Sequence, residues 1–165
     1  MSRVITVGAA QLGPIQKSDD RASVVARLVA LLRQGAAAGC DLVVFPELAL
    51  TTFFPRWFVD DITQADHWYE TEMPSAVTAP LFDEAKRLSV GFCLGYAEIT
   101  PEGRRFNTQI LVAKDLGLTE CGANRATLVE RRAAACGSGG SNNYCGRSGL
   151  QYQDRIGRLH WLHGH

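Results

Sequence analysis

The sequence predicts an α/β fold, a sheet with helices packed on it, followed by an irregular tail. Three observations carry this reading. Over the first 115 of the 165 residues, short β-branched apolar runs alternate with segments of helical period. Strand–helix–strand–helix–strand order packs helices against a sheet. Composition then changes abruptly: all six Pro, all seven Phe and every Lys precede residue 116, whereas nine of the sixteen Gly and three of the five Cys follow it. Charge divides at the same place. Residues 1–115 hold 11 Lys+Arg against 14 Asp+Glu, a net of −3, and residues 116–165 hold six Arg against three acids, a net of +3. The chain therefore reads as a domain over 1–115 and an atypical stretch over 116–165.

The opening Val4–Pro14 precedes the first helical segment. Ser18 is expected as an N-cap, with Asp19 and Asp20 in the first helical turn where the helix dipole favours negative charge. Val24, Leu28, Leu31 and Leu32 then recur on one face, and Gly39 is a stop signal. Leu42 to Phe45 form a continuous apolar run, the pattern of a strand covered on both faces, and Pro46 ends it because proline cannot donate to a ladder. A polar loop with aromatic residues covers about 51–73. A second helix is expected over about 76–88, with Val77, Leu81, Ala85 and Leu88 on its apolar face and Pro80 tolerated only near its first turn. Strands over about 90–98 and 106–113 flank the turn Thr100-Pro-Glu-Gly103.

Glu47 is the candidate catalytic residue. It follows the run Asp41-Leu-Val-Val-Phe-Pro at the carboxyl end of a central strand, where open α/β sheets place their ligands. A carboxylate half-withdrawn from water at such a position suits a general base working near neutral pH. A solvated glutamate at a strand exit fits the same stretch.

The flanking residues add to this. Phe45-Pro-Glu-Leu-Ala-Leu-Thr-Thr-Phe-Phe-Pro-Arg-Trp57 resembles the nitrilase, or carbon–nitrogen hydrolase, superfamily, and within it most closely the N-carbamoyl-D-amino acid amidohydrolases. Trp68-Tyr-Glu-Thr-Glu-Met-Pro74, Gly91-Phe-Cys-Leu-Gly-Tyr-Ala-Glu98, Arg105-Phe-Asn-Thr-Gln-Ile-Leu-Val112 and the opening Val4–Pro14 fit the same family in the right order. The resemblance covers about residues 3 to 115. It implies part of an αββα sandwich of two sheets and a Glu–Lys–Cys mechanism. In it the Glu draws the thiol proton, the Cys attacks the carbonyl carbon, the Lys stabilises the oxyanion, and water hydrolyses the acyl-enzyme. A thiol becomes a strong nucleophile when a neighbour takes its proton, and a fixed cation beside the oxyanion stabilises the transition state. Glu47 maps onto the base. Lys114 matches a turn position rather than the family's lysine, and none of Cys121, Cys136 or Cys145 has a strand before it or an Asp after it. The implied substrate is a small carbamoyl or amide compound, the implied assembly of an intact member a homo-oligomer.

The tail, typified by Ala133-Ala-Ala-Cys-Gly-Ser-Gly-Gly-Ser-Asn-Asn-Tyr-Cys145, has no period. Residues 120–150 are expected to be irregular, and only Leu116–Val129 and Gln151–Leu162 are apolar enough to attempt a short element. Out-of-frame translation of a GC-rich gene or a mis-joined exon gives such composition, and a divergent native tail is the alternative. Loss of the second half of the sandwich is expected to expose an apolar sheet face, which invites a partner. On that alternative the chain is an inactive fragment acting as an interaction module.

Five Cys without a leader or a long apolar segment point to a reducing, cytoplasmic setting rather than a disulfide framework. Cys40 and Cys93 read as buried inert thiols. Cys136, Cys145, His160 and His163 match no standard zinc spacing, so no metal is expected. His67 reads as a loop packing residue, and Arg56 either lines a pocket mouth or forms a surface ion pair. The sequence carries no GxGxxG, P-loop or nucleic-acid motif, so no cofactor, nucleic-acid or membrane partner is expected.

Overall fold

The computed structural model describes residues 4–57 and 59–113, together with the backbone of 122–127, 151–153 and 159–161. Elements follow the order β1 (Val7–Ala9), α1 (Arg21–Ala37), β2 (Leu42–Val44), α2 (Ala79–Leu88), β3 (Gly91–Ile99), β4 (Arg105–Val112), β5 (Gly122–Thr127), β6 (Gln151–Gln153) and β7 (Leu159–Trp161). The first five strands form one sheet in the order β1-β2-β3-β4-β5, and β6 pairs with β7 separately. The β1–β2 and β2–β3 pairs are parallel, whereas β3–β4 and β4–β5 are antiparallel. The expected α/β architecture is present.

Successive parallel strands added in one direction, with crossovers of one hand, carry their helices to the same face. Both helices lie there. Val24, Val25, Leu28 and Leu32 of α1 and Leu81, Phe82 and Ala85 of α2 share one core with Val43, Phe92, Leu94 and Ile110 of the sheet. Arg33 of α1 and Arg87 of α2 close on Glu84, Arg33 Nε at 2.6 Å and Arg87 Nη2 at 2.6 Å. In-register residues put Val7, Leu42 and Gly91, and likewise Ala9, Val44 and Cys93, on the opposite face. Leu111, paired with Cys93, belongs to that face too. Val7 is 50 % exposed and Leu111 46 % exposed, so the face away from the helices bears open apolar residues, with the polar Gln109 and Asn107 further along it.

Four expectations need correction. The N-cap of α1 is Asp20 rather than Ser18: its extended backbone lets its side chain accept from Ser23 N–H at 2.7 Å. Ser18 and Asp19 belong instead to a turn, in which Asp19 accepts from Gln16 N–H, and no acidic residue occupies the first turn of the helix. Helix α2 starts at Ala79, because Ser75 and Thr78 spend their hydroxyls and amides on a turn of their own. Val77 therefore lies before the helix and is 44 % exposed, while Pro80 sits in the first turn, where its missing N–H costs nothing. Residues 122–127 are not irregular. They pair with β4 from Phe106↔Thr127 to Leu111↔Gly122, because an unpaired strand edge offers donors and acceptors that almost any extended backbone can satisfy. The β6–β7 pair likewise falls in the expected irregular stretch 116–165, within the segment apolar enough for a short element. The remainder of 114–165 lies outside the described residues.

Candidate active site

Strand β2 ends as Pro46 predicts, yet its ladder does not stop cleanly. Phe45 N–H still donates to Cys93 O at 2.9 Å, and Ala49 N–H donates to Gly95 O at 2.8 Å. Between these two anchors Pro46, Glu47 and Leu48 arch out of the sheet. Leu48 turns the chain with a left-handed φ of 49°, a conformation that costs a branched residue energy and is held only by its surroundings. Those surroundings are a second apolar cluster of Phe54, Ala65, Tyr69 and Ala97, into which the Leu48 side chain is buried. Thr51 N–H closes the arch onto Leu48 O at 3.1 Å.

The arch fits closely over β3 only because residue 95 is glycine. A Cβ there would lie 3.1 Å from the Glu47 Cα and 3.3 Å from the Leu48 amide nitrogen. From below, Arg21 at the start of α1 donates to Leu50 O and, at 3.3 Å, to Trp68 O. Its Nε also pairs with the buried Glu70 at 2.7 Å. Glu70 is bridged into the sheet beside Glu98, donating to Ala97 O at 2.8 Å and accepting from Ile99 N–H at 2.9 Å. Burial pushes the Glu70 carboxyl above its ordinary value, with the Arg21 charge opposing that shift.

The Glu47 carboxylate is exposed, not half-withdrawn as expected, because the arch lifts it off the sheet rather than into the core. It accepts a hydrogen bond from the side-chain amide of Asn107 on β4. An open cleft of about 150 Å³ lies beside it, walled by Leu12–Ile15 after β1 and by Pro46–Ala49, Thr51 and Phe53 after β2. The cleft thus opens at the carboxyl ends of two adjacent parallel strands, the expected ligand position. An oriented carboxylate beside an open cleft is suited to taking a proton from a group that enters it.

The other sequence candidates distribute as follows. Cys40 and Cys93 are free and only half-buried rather than buried: Cys40 borders the core just before β2, and Cys93 lies in the central strand on the face away from the helices. Burial pushes the Cys93 thiol up, against a hydrogen bond with Gln109, which keeps it protonated and inert. His67 packs against Trp68 with ring centroids 4.1 Å apart. Arg56 forms no surface ion pair among the described residues and lies over Trp57 instead. Lys114, Cys121, Cys136, Cys145 and His163, and the side chain of His160, lie outside the described residues. Among those residues no cluster of three His, Cys, Asp or Glu is arranged to hold a metal ion, and no helix is long and apolar enough to cross a membrane.

Asn107 and Gly95 are the parts of the site that sequence reasoning passed over. A signal existed for the first. In the Phe-Asn-Thr segment Phe106 and Thr108 are buried, so strict alternation turns Asn107 to the opposite face, the one over which Glu47 arches.

The family model for carbon-nitrogen hydrolase matches residues 6–132. The fold is similar to that of a carbon-nitrogen hydrolase from Helicobacter pylori G27, with a TM-score of 0.56 and 19% identity over 74% of this chain and 39% of that one. It is also similar to an N-terminal amidase solved with a Gln-Val peptide, with a TM-score of 0.56 and 16% identity over 76% of this chain and 28% of that one. The chain spans less than two-fifths of the length of either solved structure. At such identities the structures speak for the fold, and the family match spans most of the chain together with Glu47: this protein belongs to the carbon–nitrogen hydrolase family.

Proposed function

We propose that the protein carries the base of an amidohydrolase acting on N-carbamoyl-D-amino acids, with Glu47 as the group that draws the nucleophile's proton. The observation that carries this reading is Glu47 itself, held beside an open cleft at the carboxyl end of a central strand and oriented by Asn107. In the reaction a thiolate attacks the carbamoyl carbon and the tetrahedral adduct expels ammonia. Water then cleaves the resulting S-linked thiocarbamate, freeing the thiol and an N-carboxy-D-amino acid, which loses carbon dioxide to leave the D-amino acid. A carboxylate base lowers the cost of the first step by accepting the thiol proton. The substrate rests on the resemblance of residues 45–57 and 68–74, and other amides or nitriles are the competing substrates within the family.

The lysine and cysteine of the mechanism are not assigned in this chain. The chain alone is therefore expected to release no ammonia above a Glu47→Gln control. A protein with its downstream frame restored is expected to release D-amino acid and ammonia from N-carbamoyl-D-amino acids, read by mass spectrometry. Absence of product from every carbamoyl amino acid would remove the substrate assignment. The free thiols Cys40 and Cys93 support a reducing, cytoplasmic setting.

A second reading is favoured by the open sheet face bearing Val7 and Leu111. On it the chain is a catalytically silent fragment that associates through that face, with itself or with another subunit. Two measurements on the purified chain test it: a strict monomer by analytical ultracentrifugation would exclude association with itself, and any Glu47-dependent release of ammonia would exclude the silent fragment.

A further inference from the structure

Strand β1 is a margin of the five-stranded sheet. β2 covers one of its edges, and among the described residues no strand pairs with the other. The bonds to β2 fix which backbone groups that outer edge presents. Thr6 accepts from Leu42 N–H at 3.3 Å and donates its own N–H to Asp41, and Ala10 N–H donates to Val44 O at 2.8 Å. In a strand the N–H and C=O of one residue point to the same side, and successive residues alternate. Thr6, Gly8 and Ala10 therefore turn theirs toward β2, while Val7, Ala9 and, by the same alternation, Ile5 aim theirs outward. Such a row of backbone groups is a template for a further strand.

The usual protections of an exposed edge are missing here. Residues 4–10, Val-Ile-Thr-Val-Gly-Ala-Ala, contain neither a proline nor a charge, the devices that commonly keep edges apart. Ile5 is 54 % exposed, and Val7 and Ala9 are exposed with it. These features select the occupant. Turned about a two-fold axis at Val7, the edge is the complement of itself: Val7 meets Val7 of the second copy, and Ile5 meets Ala9. Three pairs of this kind exchange about six hydrogen bonds across the axis. The opposed side chains are apolar and lie on one face, which adds to the ladder. Because the stripe is uncharged, identical copies bring no like charges together along it. The sheet's other margin, β5, carries Arg125, and joining β1 to β5 would be a head-to-tail contact with no reason to close.

We propose that the outer edge of β1 is a homodimer interface, at which two copies of the chain pair antiparallel about Val7 into one continuous sheet. This interface is the edge rather than the open face considered above, and it stands apart from both functional readings. The two Glu47 clefts, at the carboxyl ends of β1 and β2, come to lie at opposite ends of the joined sheet and stay open.

The test follows the full chain by analytical ultracentrifugation and by amide hydrogen exchange. A dimer should form, and the outward amides of Val7 and Ala9 should be protected in it and lose that protection on dilution. Val7→Pro removes an outward donor while leaving the bonds to β2 in place, since proline is tolerated on an edge whose N–H faces solvent, and should give a monomer. Val7→Lys sets two cations opposite each other across the axis and should do the same. If either variant misfolds, as read from its urea midpoint, the other variant and the exchange data on the parent chain decide. Leu111→Gln, which alters the open face and not the edge, should still dimerise. A monomeric parent chain, a dimer in which Val7 and Ala9 exchange freely, a dimer indifferent to the folded Val7 variants, or an assembly that keeps growing with concentration would each overturn the edge interface.

Discussion

Gly95 lies directly beneath Glu47, with space for no side chain between them: a methyl group there would meet the Glu47 Cα at 3.1 Å and Pro46 O at 3.3 Å. The candidate base is thus positioned by an absence on the neighbouring strand as much as by its own. Gly95→Ala should destabilise the chain by about 1–3 kcal/mol through overpacking and should shift the Asn107 side-chain amide resonance as the arch is pushed away. Urea denaturation and one two-dimensional spectrum check both, and an unmoved Asn107 signal would show that the arch is not seated on residue 95.

The helix start discriminates between two caps. Asp20→Ala should lose about 1 kcal/mol, because Ser23 N–H loses its acceptor. Ser18→Ala should be neutral within error, since Ser18 stands outside the helix.

Acid should weaken the contact between the helices. Hydrogen bonds from Arg87 and then Arg33 hold the Glu84 carboxyl at about 2, against an ordinary 4.5. A carboxyl depressed in the folded state stabilises it above the unfolded value, and that contribution disappears as pH falls from about 4.5 toward about 2. Glu70 has the opposite sign. Its raised value means that its contribution is lost as pH rises through the folded value. Glu84→Gln should therefore flatten the acid limb of a stability–pH curve measured by urea midpoints, and a limb of unchanged slope would refute the assignment.

Arg21 should be costly to remove. Arg21→Met leaves the Glu70 carboxylate buried without its cation and the Leu50 carbonyl without its donor, a loss of about 3 kcal/mol. Adding Glu70→Gln should recover part of it, because the neutral amide no longer carries an uncompensated charge. A double-mutant cycle with no coupling energy would contradict the pair.

A further prediction needs only the gene. If the tail arose out of frame, another frame downstream of codon 115 should encode a basic strand with a Lys and a His-Leu-Pro turn, then a strand ending in Cys with Asp close behind. If every frame lacks that pattern, the tail is native and the catalytic reading of Glu47 loses most of its support.

Much of this architecture was legible because the chain advertises it locally. Val24, Leu28 and Leu32 repeat at helical spacing and are all buried. Pro46 and Gly103 each act where their backbone chemistry dictates, the latter with φ at 77° in the β3–β4 turn. The strand exit bearing Glu47 was legible for the same reason. What escaped depends on contacts between distant segments. Asp20 outcompeted Ser18 because Asp19 and Arg27 had already committed the preceding turn. The exposure of Glu47 follows from the arch over Gly95, which pairs residues of different strands and leaves no trace in either one alone. Residues 122–127 became a strand because β4 presented an edge, not because their own composition asked for one.

The mixed sheet also orders events in time. β3 and β4 are joined by a tight turn, so their pairing closes a short loop and can form early. β2 has no such neighbour. Its partners, β1 on one side and β3 on the other, are each separated from it by an intervening helix, and both closures must be completed against chain entropy. During synthesis the segment carrying Glu47 leaves the ribosome well before Gly95 exists to receive it. The candidate base therefore takes its fixed position only when a later segment of the chain is in place, and a lesion that loosens the β3–β4 hairpin is expected to loosen the seat of Glu47 with it.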